Sequence, residues 1–191
     1  MLRINRIIKD SKVNGPGTRY TIWLQGCSIH CDGCSNTDTW NPEKGYSLTI
    51  KELVEDIQRQ KIDGITLTGG EPLDQFPKVI DFLKQVFPSY NILLTSGYTL
   101  EKIKKDFPET LQYVDILVDG PFIIEQLDTT ATWRGSTNQN INYLTERSKQ
   151  FINYKPKFRT EIKIDKKTGE TIVTGFSIPE ILKERKHVNL F

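Results

Sequence analysis

Short apolar runs and amphipathic segments alternate along the first 120 residues of the chain. Residues 20–24, 65–68, 91–95 and 115–118 are runs of four or five mostly aliphatic, aromatic or β-branched residues. Runs of that length and composition are typical of buried strands. The pattern therefore predicts four short strands in this part of the chain.

The segments between these runs have a helical period. Apolar residues recur every three or four positions in 50–60 and 77–87, and a shorter helix is predicted for 100–106. Thr49 and Glu52 have the spacing of a capping box, which marks the start of the first helix. Strands that alternate with helices indicate a parallel sheet, so the predicted fold class is α/β.

A turn or loop follows each predicted strand. Gly69, Gly97 and Gly120 follow three of the strands, and a loop with all three cysteines of the chain follows the first. In parallel α/β folds, ligands bind at the carboxyl ends of the strands. The sequence therefore predicts one shared pocket at this edge of the sheet.

The C-terminal part of the chain has a different pattern. Alternating residues in 158–165 and 171–175, on either side of a glycine-containing turn at 166–170, predict a β-hairpin, and 178–187 predicts a short helix. This part has no recognisable group of catalytic residue types, so it is either a structural cover or a docking element. We expect a core of residues 1–147 and an extension of residues 148–191 packed on the same domain.

Length and charge narrow the function only slightly. A chain of 191 residues suggests a single domain. Its 26 lysines and arginines against 24 acidic residues give a net charge of +2, too balanced to favour binding to nucleic acid or to a membrane. The apolar runs are far too short to span a membrane. Clustered cysteines and the lack of a targeting segment predict a cytoplasmic protein.

The cysteines carry the strongest chemical signal. Cys27, Cys31 and Cys34 have C-x3-C-x2-C spacing, and three thiolates are one short of what a four-iron cluster needs for complete ligation by protein. A zinc site completed by His30 is an alternative, but structural zinc ligands usually come as two separated pairs. A disulfide framework is disfavoured by the odd number of cysteines, and three inert core cysteines seldom share one polar loop.

A second motif follows the strand at 65–68. Gly69 and Gly70 expose backbone groups to a closely approaching ligand, and the Glu71 carboxylate can accept a hydrogen bond from an ammonium group. A strand that ends in two glycines is weak evidence by itself. Downstream of the cysteine loop, it resembles the second motif of the radical S-adenosylmethionine (SAM) superfamily, whose cysteine spacing the loop also has.

A narrower resemblance links the chain to the activating proteins of anaerobic ribonucleotide reductases. It extends over residues 1–147, and 133–139 is its most discriminating stretch because this segment is typical of the subfamily rather than of radical SAM enzymes at large. Residues 148–191 have no counterpart in the short activating proteins. The matching stretches are 13–19, Asn36 with 39–40, 96–98, 118–121 and 133–139.

The resemblance implies a partial, open (βα) barrel with a parallel sheet, followed by the hairpin and helix extension. It implies that Cys27, Cys31 and Cys34 hold a [4Fe–4S] cluster whose fourth iron binds SAM. We expect no catalytic residue beyond these ligands. The residues expected to contact SAM are Gly33, Cys34, Ser35, Asn36, Gly69, Gly70, Glu71, Pro72, Ser96 and Asp119.

The implied activity is reductive cleavage of SAM to a 5′-deoxyadenosyl radical, which abstracts hydrogen from a glycine of the anaerobic reductase. The implied partners are that reductase and an electron donor of the flavodoxin or ferredoxin type. Two alternatives stay open. One is a radical SAM enzyme for another peptide or a small molecule, and the other is a non-enzymatic electron-transfer protein.

Overall fold

The computed structural model describes residues 1–130, 132–164 and 171–175 of the chain. The predicted turn at 166–170 and the predicted helix at 178–187 lie outside the described residues. The described part contains nine strands and three α-helices, joined by loops and short 3-10 helices. The strands are β1 (Leu2–Ser11), β2 (Arg19–Leu24), β3 (Tyr46–Leu48), β4 (Gly64–Gly69), β5 (Asn91–Ser96), β6 (Ile116–Asp119), β7 (Asn140–Tyr143), β8 (Thr160–Ile164) and β9 (Thr171–Gly175). The helices are α1 (Ile50–Gln58), α2 (Lys78–Val86) and α3 (Leu100–Asp106).

Seven strands form one mixed sheet in the order β3-β1-β2-β4-β5-β6-β7. The four predicted strands are its centre, β2-β4-β5-β6, and they are parallel, as the βα alternation predicts. β1 and β7 pair antiparallel with the two edges of this centre, and β3 pairs antiparallel with β1. The fold is therefore α/β, with a parallel centre and antiparallel edges.

The sequence pattern did not predict β1, although it is the longest strand. Its register against β2 shifts between Ile4 and Arg6 and again between Ile8 and Ser11. Each irregularity changes which side chains face the core, so the strand has no continuous two-residue alternation to recognise. Strands β3 and β7 were also missed, because they are short and interrupted by polar residues, Ser47 in β3 and two asparagines in β7, so neither is a continuous apolar run.

The predicted helices are present with small changes at their ends. Helix α1 begins at Ile50, after the predicted capping box, in which Thr49 Oγ1 accepts a hydrogen bond from the Glu52 amide. It ends at Gln58, two residues earlier than predicted, and α2 is one residue shorter at each end. Buried residues of all three helices pack against one face of the sheet in the main hydrophobic core.

The opposite face of the sheet has a smaller core. Leu93 of β5 and two residues of β6 pack there with Trp133, and Phe151 and Tyr154 cover them. The Trp133 and Tyr154 rings are stacked, with their centroids 5.5 Å apart. Phe151 and Tyr154 come after residue 147, so the chain beyond the expected boundary contributes to the packing of the sheet.

The predicted hairpin is present as the antiparallel pair β8 and β9. Two polar contacts attach β8 to the chain at the end of β1. Glu161 accepts a hydrogen bond from the Lys12 amide at 3.1 Å, and Lys163 pairs with Asp10 at 3.0 Å. The hairpin is thus fixed to the main sheet rather than separate from it.

No helix within the described ranges is long and apolar enough to cross a membrane.

Candidate iron–sulfur and SAM site

The cysteine loop begins directly after β2, the first strand of the parallel centre. Gly26 has a φ of +99°, a backbone conformation that favours glycine, and turns the chain away from the strand. The Gly26 amide donates to the Thr39 carbonyl at 2.7 Å, and the Cys27 amide donates to the Trp40 carbonyl at 3.2 Å. These bonds close the loop at its base and hold its first cysteine at the edge of the sheet.

The three thiols are free and half-buried, and all three line one cavity of about 520 Å³. Burial raises the pKa values of Cys27 and Cys34, and nearby backbone N–H groups partly offset this effect. One of these groups is the Asn36 amide, 3.4 Å from Cys34 Sγ. Such N–H groups stabilise a thiolate, which is the form that binds iron.

His30, the fourth residue of the alternative zinc site, stacks its ring on Trp40 with the centroids 4.6 Å apart. Its φ is +52°, which keeps the loop tightly turned. In the described part of the chain, no three Cys, His, Asp or Glu side chains are arranged to hold a single metal ion. A four-iron cluster, by contrast, binds one thiolate at each of three separate irons.

Asp74 connects the cysteine loop to the rest of the site. Its carboxylate accepts hydrogen bonds from the Ser28 amide at 2.6 Å and from the Ser28 hydroxyl at 2.9 Å. It also accepts one from the Tyr98 hydroxyl at 2.9 Å. The sequence pattern did not single out this contact, because the three residues come from three separate segments.

The turn at Gly69 and Gly70 packs directly on the start of the cysteine loop. The Gly70 amide donates to the Leu24 carbonyl and the Glu71 amide donates to the Gly26 carbonyl, each at 2.9 Å. A Cβ atom at Gly70 would lie only 2.0 Å from the Gly26 carbonyl oxygen. A side chain at Gly70 would therefore displace the backbone of the cysteine loop, so this position cannot test ligand contact by itself.

Glu71 is buried behind this turn. Its carboxylate accepts hydrogen bonds from the Leu73 amide and the Ser96 hydroxyl, both at 2.9 Å, and from the Gly97 amide at 2.8 Å. Burial raises the pKa of Glu71 to about 7 although these three donors favour the ionised form. The side chain thus ties the second glycine motif to the end of β5 and still borders the cavity.

Other expected SAM contacts divide into two groups. Gly33, Ser35, Asn36, Gly69 and Gly70 line the cavity with the thiols. Pro72, Ser96 and Asp119 are buried, and none of the three is among the residues that line the cavity. The Asp119 carboxylate accepts from the Leu100 amide at 2.7 Å and from the Asn142 side chain at 2.6 Å. Ser96 and Asp119 are the last residues of β5 and β6, and their hydrogen bonds to Glu71 and to the Leu100 amide fix these strand ends.

Several cavity residues were not predicted as site residues. Arg6 and Trp23 reach the cavity from β1 and β2, with the guanidinium carbon 4.6 Å from the ring centroid. Trp133 and Arg134 cover the cavity from the loop before β7, where Arg134 pairs with Asp128 at 2.9 Å. The sequence signal for this loop was the 133–139 stretch, which indicated a subfamily but no position in space.

Three residues of β9 also line the cavity. They are Val173, Thr174 and Gly175, and the first two are buried. Nothing in the residue types of the hairpin indicated this position, because the contact depends on how the hairpin folds back. The cavity is therefore bounded by the cysteine loop, the strand ends, the 127–135 loop and the hairpin.

The residues around the three thiols fit the [4Fe–4S] cluster that the cysteine spacing implies. Three free thiols stand at one edge of the sheet, with backbone N–H groups directed at two of them. The adjacent glycine turn leaves space beside the thiols for a small molecule. Three thiolates next to open space suit a four-iron cluster with one iron available to a ligand.

A match to a protein family agrees with this chemistry. Residues 13–142 match a family described as a 4Fe-4S single cluster domain. The crystal structure of QueE from Escherichia coli overlaps 51% of this chain and 53% of its own, with 20% sequence identity and a TM-score of 0.40. That overlap is partial, so the account of the fold rests on the strands described above.

The sequence relatives are more specific. The anaerobic ribonucleoside-triphosphate reductase-activating protein of Enterobacteria phage T4 is 38% identical over 148 residues, which cover 73% of this chain and 93% of that protein. The protein of the same name from Vibrio cholerae is 38% identical over 143 residues, which cover 70% of this chain and 92% of that protein. The Escherichia coli K12 protein is 33% identical over 142 residues, with 69% and 92% covered. The chain therefore belongs to the family of anaerobic ribonucleoside-triphosphate reductase-activating proteins.

Proposed function

We propose that this protein is a radical SAM activating enzyme that generates a glycyl radical on an anaerobic ribonucleoside-triphosphate reductase. One observation carries the proposal. The three thiols of the cysteine loop and the Gly69–Gly70 turn line the same cavity, at the carboxyl ends of four parallel strands. Membership of the family gives the reaction and its protein substrate.

The residues of the loop have separate tasks in this proposal. Cys27, Cys31 and Cys34 hold the [4Fe–4S] cluster. Asn36 and other N–H donors stabilise the thiolates. When the cluster and SAM are bound, they supply one-electron cleavage of SAM to methionine and a 5′-deoxyadenosyl radical, which takes a hydrogen atom from the glycine. The protein binds, orients and shields the reactants.

SAM is bound by the exposed backbone and side chains next to the thiols. The contacts proposed are Gly33, Ser35, Asn36, Gly69 and Gly70, which line the cavity. Glu71 borders it, and its buried carboxylate is the proposed acceptor for the ammonium group of SAM. Pro72, Ser96 and Asp119 act indirectly, by fixing the strand ends.

The fold supports a partial, open (βα) barrel. The parallel centre has its helices on one face and the cavity on the other, under the 127–135 loop. A glycine-bearing segment of the reductase would enter the open side of the cavity. We also propose that a donor of the flavodoxin or ferredoxin type supplies the electron. Free, half-buried cysteines suit a reducing cytoplasm.

Anaerobic reconstitution tests the function directly. The loaded protein is incubated with the reductase, SAM and reductant, and electron paramagnetic resonance detects an organic glycyl radical. The Cys31→Ala protein is the control without a complete set of ligands. Cleavage of SAM without any radical on the reductase would point to another substrate. A loaded protein that cannot cleave SAM at all would support the electron-transfer alternative.

A further inference from the structure

The β8–β9 hairpin lies beyond residues 13–142, the part of the chain that matches the cluster-domain family. Val173 and Thr174 nevertheless line the same cavity as the cluster thiols, and their exposed fractions are only 8% and 5%. A segment outside the matched region therefore contributes to the wall of the reaction cavity.

The contact between hairpin and cavity centres on Asn14. Asn14 Nδ2 donates to Thr174 Oγ1 at 3.1 Å and to Ser11 Oγ at 2.8 Å. The Asn14 carbonyl accepts from the Thr66 hydroxyl at 2.6 Å. Asn14 lines the cavity and is 8% exposed, so Thr174 bonds a polar side chain that borders the ligand space.

The position of Thr66 gives the depth of this contact. Thr66 lies three residues before Gly69 in β4, which is about 10 Å along a strand. Asn14 and Thr174 are therefore well below the strand ends where the thiols stand. They form the floor of the cavity, and the cysteine loop forms its upper end.

We propose that the hairpin is a built-in floor of the reaction cavity, and that Thr174 is a positioning residue that orients Asn14 toward the reductase segment. This inference rests on the proposed function for the identity of that segment. Both N–H groups of the Asn14 amide are used by Ser11 and Thr174, so the side chain presents its Oδ1 oxygen, which can accept from a peptide N–H. Thr174 fixes which way the amide faces, and Glu161 reinforces the contact by accepting from the Lys12 amide.

The test compares three variants of the full, cluster-loaded chain. Thr174→Val removes the hydroxyl and keeps the shape, whereas Thr174→Ser keeps the hydroxyl. Ile162→Thr is the matched control, because Ile162 is on the same hairpin but is 63% exposed and does not line the cavity. Two readouts are measured: hydrogen exchange of the amides of residues 12–15, and glycyl radical formed per SAM cleaved.

We expect Thr174→Val to raise the exchange rate of residues 12–15 and to lower the yield of radical per SAM cleaved, each by about tenfold, the effect of one lost hydrogen bond. Thr174→Ser and Ile162→Thr should resemble the unmodified protein. SAM affinity should stay within about twofold in all three variants, since the floor is remote from the thiols.

Two outcomes would overturn the inference. One is unchanged exchange at residues 12–15 in Thr174→Val. The other is faster exchange with an unchanged yield of radical per SAM cleaved, which would give Thr174 a structural role only. If the unmodified protein cleaves SAM but leaves the reductase without a radical, the proposed function fails. A positioning role toward the reductase fails with it, and the exchange measurement still decides whether Thr174 holds Asn14.

Discussion

At the scale of single residues, the cysteine loop and its neighbours separate ligands from supports. The three thiols are free and line the cavity, whereas the His30 ring stacks on the Trp40 ring. Glu71 belongs to both groups, because its carboxylate borders the cavity and accepts three hydrogen bonds from the protein. Substitutions at these positions should therefore have different consequences.

Replacing any one of Cys27, Cys31 and Cys34 by alanine should abolish SAM cleavage, because one iron loses its protein ligand. His30→Ala should keep most of the activity and the cluster. In all four variants, iron content and visible absorption of the reconstituted protein measure the cluster, and the release of methionine measures SAM cleavage. Equal loss of metal from His30→Ala and from the cysteine variants would support a Cys3His zinc site instead of the cluster.

Glu71 should give stability a specific pH dependence. The pKa of Glu71 is about 7 in the fold against an ordinary 4.5. Between these values the unfolded chain binds fewer protons, so the free energy of unfolding should fall as pH rises, by up to about 3 kcal/mol. The contribution of Glu71 to the free energy of unfolding is complete below pH 4.5 and lost above pH 7.

Urea unfolding of the cluster-free protein with reductant, from pH 4.5 to 8, measures this slope. Glu71→Gln should reduce it, whereas Glu55→Gln, on the surface of α1, should leave it as it is. Glu71→Gln also loses one hydrogen bond, because the side-chain NH2 group of the glutamine would face the Gly97 N–H. If the slope in Glu71→Gln equals that of the unmodified protein, Glu71 is not the source of the pH dependence.

At the scale of elements, the site depends on contacts between segments that are distant in sequence. Asp74 follows β4, Ser28 lies in the cysteine loop after β2, and Tyr98 follows β5. Their hydrogen bonds bring three strand ends to one point. Because all these groups are near the surface, the contact should control how firmly the loop retains its cluster more than whether the protein folds.

Asp74→Ala should shorten the lifetime of the cluster under challenge with an iron chelator several-fold, since the Ser28 amide and hydroxyl lose their acceptor. Tyr98→Phe removes only one of the three bonds and should have a smaller effect. Decay of the cluster absorbance gives both rates. A lifetime in Asp74→Ala equal to that of the unmodified protein would show that the loop is held by its own backbone bonds.

At the scale of the whole molecule, the extension and the core are less separable than the sequence suggested. Phe151 and Tyr154 pack on the face of the sheet that carries the cavity, and β9 lines the cavity itself. We therefore propose that the separable unit begins after residue 157, not after residue 147. The two truncations should behave differently.

Ending the chain after Lys157 removes the hairpin and residues 176–191 but keeps both aromatic residues. We expect this protein to assemble its cluster and bind SAM, and to activate the reductase poorly because the cavity has lost its floor. Ending the chain after Arg147 should also expose Leu93 and Trp133 and lower the melting temperature. Melting curves, cluster content and radical yield separate the two. Complete loss of SAM affinity in the longer truncation would place hairpin residues in the SAM site.

The sequence determined the local parts of this protein. The spacing of the cysteines, the capping box of α1 and the four central strands depend on residues close together in the chain, and each is visible as a pattern. The convergence of the strand-end motifs was also predictable, because parallel strands bring their carboxyl ends to one edge. These are the features on which the prediction of a cluster site depended.

The tertiary structure alone decided which residues share the cavity. It placed Trp133 and Thr174 on the cavity wall, and it left Ser96 and Asp119 buried outside the cavity lining. Strand β1 was hidden because its bulges break the alternation that marks a strand. The physical reason is common to all of these. A pattern records the period of one segment, whereas burial and hydrogen bonding depend on segments brought together by folding, such as Asn14 and Thr174 at 160 residues apart.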